Sequence, residues 1–549
     1  MNAENYSLYE VVEARAKSDP RLKALYYQGR TISYKRFLKL IDKTADILYN
    51  QLGIRKGDVI LIAQPNIPDT LILFYAVNKI GAIANMVHPF TPYNQIREIM
   101  KKTKTKVAFL FEQRVAKEVE KYRQISKEII VTRVEDYLPL LKRFIYHTFL
   151  NRKIRKKLSK ARKFEGFTYL HNLKYKGPRI EKVDNSFIDE CGILLHSGST
   201  TGEPKTIMLS SRAFNFSASH AYEYLCVDGE KDTKGLGMMG ILPSFHGFGL
   251  CITMHATFYC GMCLALIPKF SNKAAISAFN DLKMGCFICV PNAFESLLRD
   301  KKFTENKRLR WLQACFLGGD SMNATLKEKF DNVLIKNGAR ARLFEGYGLT
   351  ESISVVIVNT HKHNKLGSIG YPSSGMDIKI LDDDNKELPR GEIGEICIKS
   401  PTNMIGYFND EKATKEAVID GYLHTGDLGY MDEENFVFFK QRKKRVVKVS
   451  GVGVFPSEIE HLIETVAGVE SACAISIPDP RLVSAIKVFV VAKYFDEEDM
   501  RHRIMDTCQK YLIRWAVPKE IEFRKELPRT LLGKIDFKTL QKEEDEKRK

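Results

Sequence analysis

Residues Leu194–Leu209 read LLHSGSTTGEPKTIML. An apolar run of strand type enters a loop of Ser, Gly and Thr. It leaves through Pro204 and Lys205 into a second apolar run, Ile207-Met208-Leu209. Such a loop turns backbone N–H groups, hydroxyls and one ammonium group toward an anion, and a phosphate chain suits that donor set. The spacing is not that of a P-loop: Gly198-x-x-x-Gly202 is one residue short, and no Gly-Lys-Ser/Thr follows.

Outward from this loop the chain alternates helix and strand patterns. Ile32–Gln51 sets Phe37, Leu40, Ile41, Ala45, Ile47 and Leu48 at helical spacing. KGDVILIAQPN (56–66) reads as a buried strand ended by Pro65. A helix over Ile67–Ile80 leads to Gly81 and the strand AIANMV, and KVAFLF (106–111) is a further strand. That rhythm predicts a mostly parallel α/β sheet, and it resumes from 186 to 360. Residues 366–440 are rich in turns, with GEIGEICIKS and FVFFK as strands. The last hundred residues predict an α+β unit. Its helices are PSEIEHLIETV and DMRHRIMDTCQKYL, its strands SACAISI and IKVFVVAKY. The expected fold class is α/β. A large N-terminal domain of layered α/β subdomains with a β-rich segment covers 1–440, and a small α+β C-terminal domain covers 441–549. The tail QKEEDEKRK is expected to be disordered.

The 549 residues are 44% hydrophobic and 28% charged, which excludes a fibrous or disordered chain. The net charge of +19 calls for anionic partners such as nucleotides or a membrane surface. Ten Lys or Arg and no acid fall between 142 and 163. Within the insertion 137–164, Leu140, Phe144, His147, Leu150, Ile154, Leu158 and Ala161 recur three or four apart. A basic amphipathic helix of this kind either lies on anionic lipid or docks on its own domain with a solvated basic face. Nucleic acid is disfavoured, because aromatic residues are not interleaved for base stacking.

The uncharged stretch Phe245–Pro268 contains His246, His255 and three Gly. It reads as a buried helix (250–259), a turn at Gly261 and a strand (262–267), not as a membrane span. The start MNAENYSLYE carries no signal-peptide pattern, so the expected location is cytoplasmic, with peripheral contact at the inner membrane surface through 140–161. Eleven Cys, an odd number, argue for a reducing compartment. Cys260-x-x-Cys263 and Cys286-x-x-Cys289 imitate a zinc spacing. Both pairs sit in apolar runs without a knuckle, however, so packing as small hydrophobes is the expected role.

Ser-Gly-Ser-Thr-Thr-Gly-x-Pro-Lys closely resembles the phosphate loop of the acyl-adenylate-forming superfamily, the AMP-binding enzymes. LPSFHGFGL (242–250), FLGGD (316–320), YGLTE (347–351), the stretch 424–460 and PRTLLGK (528–534) match its other motifs in order. The resemblance spans about residues 8–545 and is strongest to fatty acid–CoA ligases, which are acid–thiol ligases. It implies ATP, CoA and Mg²⁺ as cofactors and a mobile C-terminal domain.

By that resemblance Ser197, Thr200, Thr201, Gly202 and Lys205 cradle the β- and γ-phosphates. Thr350 meets the α-phosphate, and Glu351 holds the metal. Tyr347, Gly318 and Gly319 seat adenine, and Asp427 with Arg442 takes the ribose. Lys534 bridges the acid and the α-phosphate. Lys444 is the hinge about which the small domain turns, bringing Lys448 and Gly451 to the thiol-transfer site. Two departures stand out. Ser199 occupies a position where the family usually has Gly, and Gln441 one where Gly or Asp is commoner.

An amino-acid substrate would need a buried acid for its ammonium group, and LPSFHGFGL has none. His246 with Gly247 and Gly249 resembles the gate of acyl- and aryl-CoA ligases, and the small residues suggest room for a tunnel. The expected reaction is activation of a medium- or long-chain fatty acid to acyl-AMP, then thioester formation with CoA. Its alternatives are an aryl or other acid–CoA ligase, or a ligase loading a carrier protein. A different class, also open, is a non-catalytic nucleotide-binding or membrane-associated protein of the same fold.

Overall fold

The computed structural model describes residues 5–146, 148, 167–182, 187–197, 205–318, 324–353, 355–450, 452–493, 496–529 and 535–548. The chain forms two compact units. One comprises Met1–Asp377 and Ile398–Leu423, the other Ile378–Cys397 and His424–Lys549.

The first unit is built on two large sheets, parallel in their centres and antiparallel at edges. One runs in the order Tyr371–Pro372, Ile357–Val358, Leu343–Tyr347, Ala314–Leu317, Met284–Cys289, Gly237–Gly240, Cys263–Leu266, Lys23–Tyr27 and Arg30–Ser33. The other runs Gly406–Tyr407, Thr206–Ser210, Cys191–His196, Ile83–Met86, Val59–Ala63, Val107–Phe111, Ile129–Thr132 and Thr168–Tyr169. The central strands are apolar along their length because helices cover both faces. Between the sheets lie Leu8–Ser18, Tyr34–Asn50, Pro68–Ile80, Ser211–Ser219 and Ala256–Tyr259. Pro68–Ile80 is buried on every side, which explains its lack of a polar face; Gly81 ends it at φ +73°.

The expected α/β layering is therefore present, with local corrections. Ile32 belongs to a strand and pairs with Leu25, so the helix begins only at Tyr34, capped by the Ser33 hydroxyl. The stretch 245–268 does form helix, Gly261 turn and strand. The helix opens with eight residues of π-helix, Phe248–His255, which periodicity alone does not reveal. Of the insertion 137–164, Leu140–Ile145 is an α-helix, while residues 147 and 149–164 lie outside the described set.

In the second unit a three-stranded sheet (Val469–Asp479, Val483–Ala492, Glu520–Phe523) alternates its side chains between two cores. Ala472, Ala474, Val488 and Val490 face the helices Pro456–Glu464 and Glu497–Tyr511. Cys473, Ile475, Ile477 and Phe489 form the opposite core with Leu540. This second face corrects the reading of the charged tail as disordered. Phe537–Lys547 is a helix that covers it with Leu540, while buried Glu544 pairs with Lys487 at 2.8 Å. A run of charges can fold when one apolar residue per two turns meets a core and one acid meets a buried cation.

Candidate functional site

The strands Cys191–His196 and Thr206–Ser210 form an antiparallel pair, and the expected phosphate loop joins them. Its neck is closed twice. The Ser197 N–H donates to the Lys205 carbonyl at 3.0 Å, and the Lys205 N–H donates to Ser197 Oγ at 3.1 Å. Thr200, Thr201 and Gly202, with Ser199, lie outside the described residues. Just before the neck, burial lowers the His196 pKa to about 4. The imidazole is therefore neutral between Asn85 Oδ1 (2.7 Å) and Thr206 Oγ1 (3.3 Å).

Lys205 emerges beside a residue that sequence reasoning missed. The short strand Gly406–Tyr407 pairs with Thr206–Ser210 and sets Tyr407 opposite Ile207. The Lys205 ammonium lies 4.3 Å from the centre of the Tyr407 ring. The Tyr407 hydroxyl donates to Glu351 Oε1 at 3.1 Å. Burial, and then the Glu351 charge, holds that hydroxyl proton well above its ordinary range, so it stays a donor. The Glu351 backbone is fixed as well, its carbonyl accepting the Met404 N–H at 2.7 Å. Lys205, Glu351 and Tyr407 thus converge from three distant segments. A lone Gly-Tyr pair in the sequence carries no sign of this.

Tyr347 ends the strand Leu343–Tyr347, and a 3₁₀ turn over Thr350–Ser352 follows. The turn closes at Ile353 with φ +62°, a left-handed conformation that costs a β-branched residue strain. Gly247 backs directly onto it: a Cβ there would lie 2.9 Å from the Ile353 carbonyl oxygen. At Gly249 a Cβ would lie 2.0 Å from the Pro243 carbonyl oxygen. These two glycines therefore admit close backbone approach. The reading of them as room for a tunnel is corrected, because backbone already fills the space. His246 itself is exposed, its Nδ1 accepting the Phe248 N–H at 3.4 Å.

Gly318 follows the strand Ala314–Leu317, and Gly319 lies outside the described residues. The Phe248 ring occupies the place of a Gly318 side chain, since a Cβ there would sit 2.0 Å from Cε1 of the ring. Phe248 also lines a small cavity of about 30 Å³. Its other walls include Phe316, Gly346, Ile252, Met262 and Cys286, and no charged side chain faces it. Burial pushes the Cys260, Cys263 and Cys289 thiols up to about 12. They remain neutral and pack as apolar groups. Cys260 and Cys286 lie along the cavity, while Cys263 and Cys289 lie in the sheet core. Among the described residues no cluster of His, Cys, Asp and Glu is arranged for a metal ion. No helix among them is long and apolar enough to cross a membrane.

In the second unit, Tyr422–Met431 pairs with Val437–Arg442 and sets Asp427 opposite Arg442. Asp427 is buried, and the Arg442 guanidinium reaches it at 2.8 Å. The next residues form a 3₁₀ turn, Lys443–Arg445. Lys443 reaches Asp383 at 2.8 Å and Glu395 at 3.2 Å, and Arg445 reaches Glu460 at 3.0 Å. Lys444, between them, is exposed and has no ion pair among the described residues. Gln441 is buried and accepts from the Ser457 hydroxyl at 3.4 Å. Lys448 is exposed opposite Gly453 on a two-stranded ribbon, while Gly451 and Lys534 lie outside the described residues.

Residues 12–408 match the family model of the AMP-binding enzymes, and residues 458–534 match the C-terminal domain of the AMP-binding enzymes. A long-chain-fatty-acid–CoA ligase of Bacillus subtilis (strain 168) is 29% identical over 99% of this chain and 95% of its own length. One of Salmonella typhimurium (strain LT2) is 29% identical over 97% and 94%. Among solved structures, the anthranilate CoA ligase AuaEII in complex with anthranoyl-AMP superposes with a TM-score of 0.80 at 21% identity, covering 98% of this chain and 97% of that one. The expected superfamily, its likeness to fatty acid–CoA ligases and the expected ligase class all agree with these relatives. The ordered motifs, the layered fold and the two family matches lead to one conclusion: the chain belongs to the AMP-binding enzyme family.

Proposed function

We propose that this enzyme activates a medium- or long-chain fatty acid with ATP and transfers the acyl group to coenzyme A. The observation that carries this reading is the full-length likeness to long-chain-fatty-acid–CoA ligases, 29% identical over 99% and 97% of this chain. The residues under Phe248 are apolar throughout, so a charged group on the acid would be unmatched against them.

In the first step a carboxylate oxygen bonds to the α-phosphorus as the bond to the β-phosphate oxygen breaks. Pyrophosphate leaves and acyl-AMP remains. Both reactants are anionic, so cations and preorganised donors lower the barrier most. On this reading Lys205, with Thr200, Thr201 and Gly202, holds the β- and γ-phosphates at the neck closed by Ser197. Thr350 orients the α-phosphate and Lys534 draws the two anions together. Glu351 suits a hard cation, because Tyr407 fixes one carboxylate oxygen and leaves Oε2 to coordinate. Mg²⁺ bound there would neutralise phosphate charge. Tyr347, Gly318 and Gly319 seat the adenine, and Asp427, oriented by Arg442, accepts from the ribose hydroxyls.

In the second step the thiol sulfur bonds to the acyl carbon and AMP leaves. Lys448 and Gly451 serve this step after the chain turns at Lys444, where 1–440 meets 441–549. The ion pairs of Lys443 and Arg445 support that assignment: both neighbours are held, so rotation falls on the residue between. The fatty acid reaches the enzyme from a lipid surface, where such acids partition.

ATP- and CoA-dependent thioester formation with acetate, octanoate, palmitate, benzoate, coumarate and amino acids tests the reading. A maximum among octanoate and palmitate is expected. Preferred turnover of benzoate or coumarate would overturn the acid, and pyrophosphate release without acyl-CoA would overturn CoA in favour of a carrier protein.

A further inference from the structure

Glu395 stands on the strand Gly394–Lys399 and is buried, yet both of its oxygens are in use. Oε1 accepts the Gly426 N–H at 2.8 Å. Oε2 accepts from the Lys443 ammonium at 3.2 Å and lies 3.4 Å from His424 Nδ1. Two further bonds fasten the same turn to the same strand. The Thr425 hydroxyl donates to the Ile396 carbonyl at 2.7 Å and accepts the Asp427 N–H at 3.0 Å. Gly426, at φ +70°, has open space where a side chain would stand, so hydrogen bonds rather than packing hold it on that side. Lys443 has a second carboxylate partner, Asp383 at 2.8 Å, but that side chain is 89% exposed. An ion pair in water contributes little, so buried Glu395 is the partner that fixes the ammonium. The Gly426 N–H needs only a neutral acceptor, and burying a full charge is costly unless a cation meets it. The charge therefore serves Lys443, and the acceptor oxygen serves Gly426.

We propose that Glu395 is a positioning residue with two separable effects. Through the Gly426 turn, its Oε1 aims the next residue, Asp427, at the ribose. Through Lys443, its charge fixes the chain just before Lys444, so that rotation is confined to that residue. The inference rests on the reading of Asp427 as the ribose acceptor and of Lys444 as the hinge. It adds that one carboxylate, on a strand outside the matched motifs, serves both half-reactions.

The test measures ATP–pyrophosphate exchange and thiol transfer from supplied acyl-AMP, each on the full chain. The variants are Glu395→Gln, Glu395→Ala, Asp427→Ala and Lys444→Pro, the last restricting φ at the hinge. Glu395→Ala and Asp427→Ala are expected to raise KM for ATP about 10-fold with little change in kcat, as lost ground-state binding does. Glu395→Gln keeps an oxygen for the Gly426 N–H and should return that KM to within about 2-fold of wild type. It removes the charge, however, so thiol transfer should slow about 10-fold in both Glu395 variants, as in Lys444→Pro. A residue that only supported folding would lower the melting temperature without separating the two half-reactions. An unchanged KM in Glu395→Ala beside a raised one in Asp427→Ala would overturn the first effect alone. Wild-type thiol transfer in Glu395→Gln beside slow transfer in Lys444→Pro would overturn the second alone. An unchanged KM in Asp427→Ala, or unchanged transfer in Lys444→Pro, would overturn the ribose or hinge reading and the matching effect with it. Glu395→Gln fills the same space, so its thiol-transfer rate decides the role of the charge even where Glu395→Ala is too unstable to assay.

Discussion

Tyr407→Phe removes one hydroxyl and leaves the ring in place. The Lys205 ammonium, 4.3 Å from the ring centre, therefore keeps its aromatic neighbour. What is lost is the 3.1 Å hydrogen bond to Glu351 Oε1. A hydrogen bond to a charged group contributes about 1.5–3 kcal/mol. Tyr407 is buried, but Glu351 is only half-buried and water can replace the donor. The lower part of the range applies, about 1.5–2 kcal/mol, or roughly 10- to 30-fold. Because Glu351 is proposed to hold the magnesium, the loss should fall on metal-dependent adenylation. ATP–pyrophosphate exchange at varied magnesium should show the half-saturating concentration rising by about that factor. Thiol transfer from supplied acyl-AMP, which needs no metal at the γ-phosphate, should change little. Thermal melting controls for folding. An unchanged magnesium dependence with exchange within about 2-fold of wild type would refute the role of Tyr407, since a bond of that strength cannot vanish without effect.

Gly318→Ala puts a methyl group 2.0 Å from the Phe248 ring, so the ring must move or the strand end must shift. The expected cost is about 1–3 kcal/mol of stability, seen as a lower unfolding midpoint, with a changed acyl-chain profile because Phe248 also lines the cavity. Lys534→Ala should abolish pyrophosphate exchange while sparing thiol transfer from acyl-AMP; normal exchange would remove Lys534 from the first step. His255 sets a pH dependence. Burial lowers its pKa to about 3, and it sits neutral between Tyr75 (2.9 Å) and Asn215 (2.8 Å). Above about pH 6.5 it is neutral folded and unfolded and contributes no pH dependence. As pH falls from there, the unfolded chain binds a proton that the fold excludes, and stability drops by up to about 1.4 kcal/mol per pH unit. Urea unfolding between neutral and mildly acidic pH should show this slope, and His255→Gln should reduce it, leaving the share contributed by buried His196.

Much of the fold was legible because local signals agreed with global ones. Gly81 ends the helix that the apolar pattern predicts, and the strands around Val59, Ile83 and Val107 lie where their runs stop. Where the reading failed, the deciding partner was distant. Ile32 looks helical until its pairing with Leu25 is known. Glu544 looks like one more solvated charge until Lys487 appears across the sheet. The site shows the same division. The loop and turn residues proposed for the site lie in contiguous motifs, whereas Tyr407 joins them only when the chain brings residues 205 and 351 to it. The apolar spacing around Leu140 predicted a helix, but which side faced the protein depended on Gln28 and Asp136.

Phe248 belongs to two compartments at once, resting on Gly318 on one side and walling the apolar cavity on the other. That shared wall limits how the enzyme can diversify. A substitution at Phe248 that admits a different acid also disturbs the seat proposed for the nucleotide, so one gain carries a second loss. Met262 and Cys286 wall the same cavity away from the proposed adenine-binding residues, so a change there alters the cavity without moving the ring at 248. Lineages that shift from one acid to another should accumulate their changes at such positions first, and keep an aromatic ring at 248 throughout.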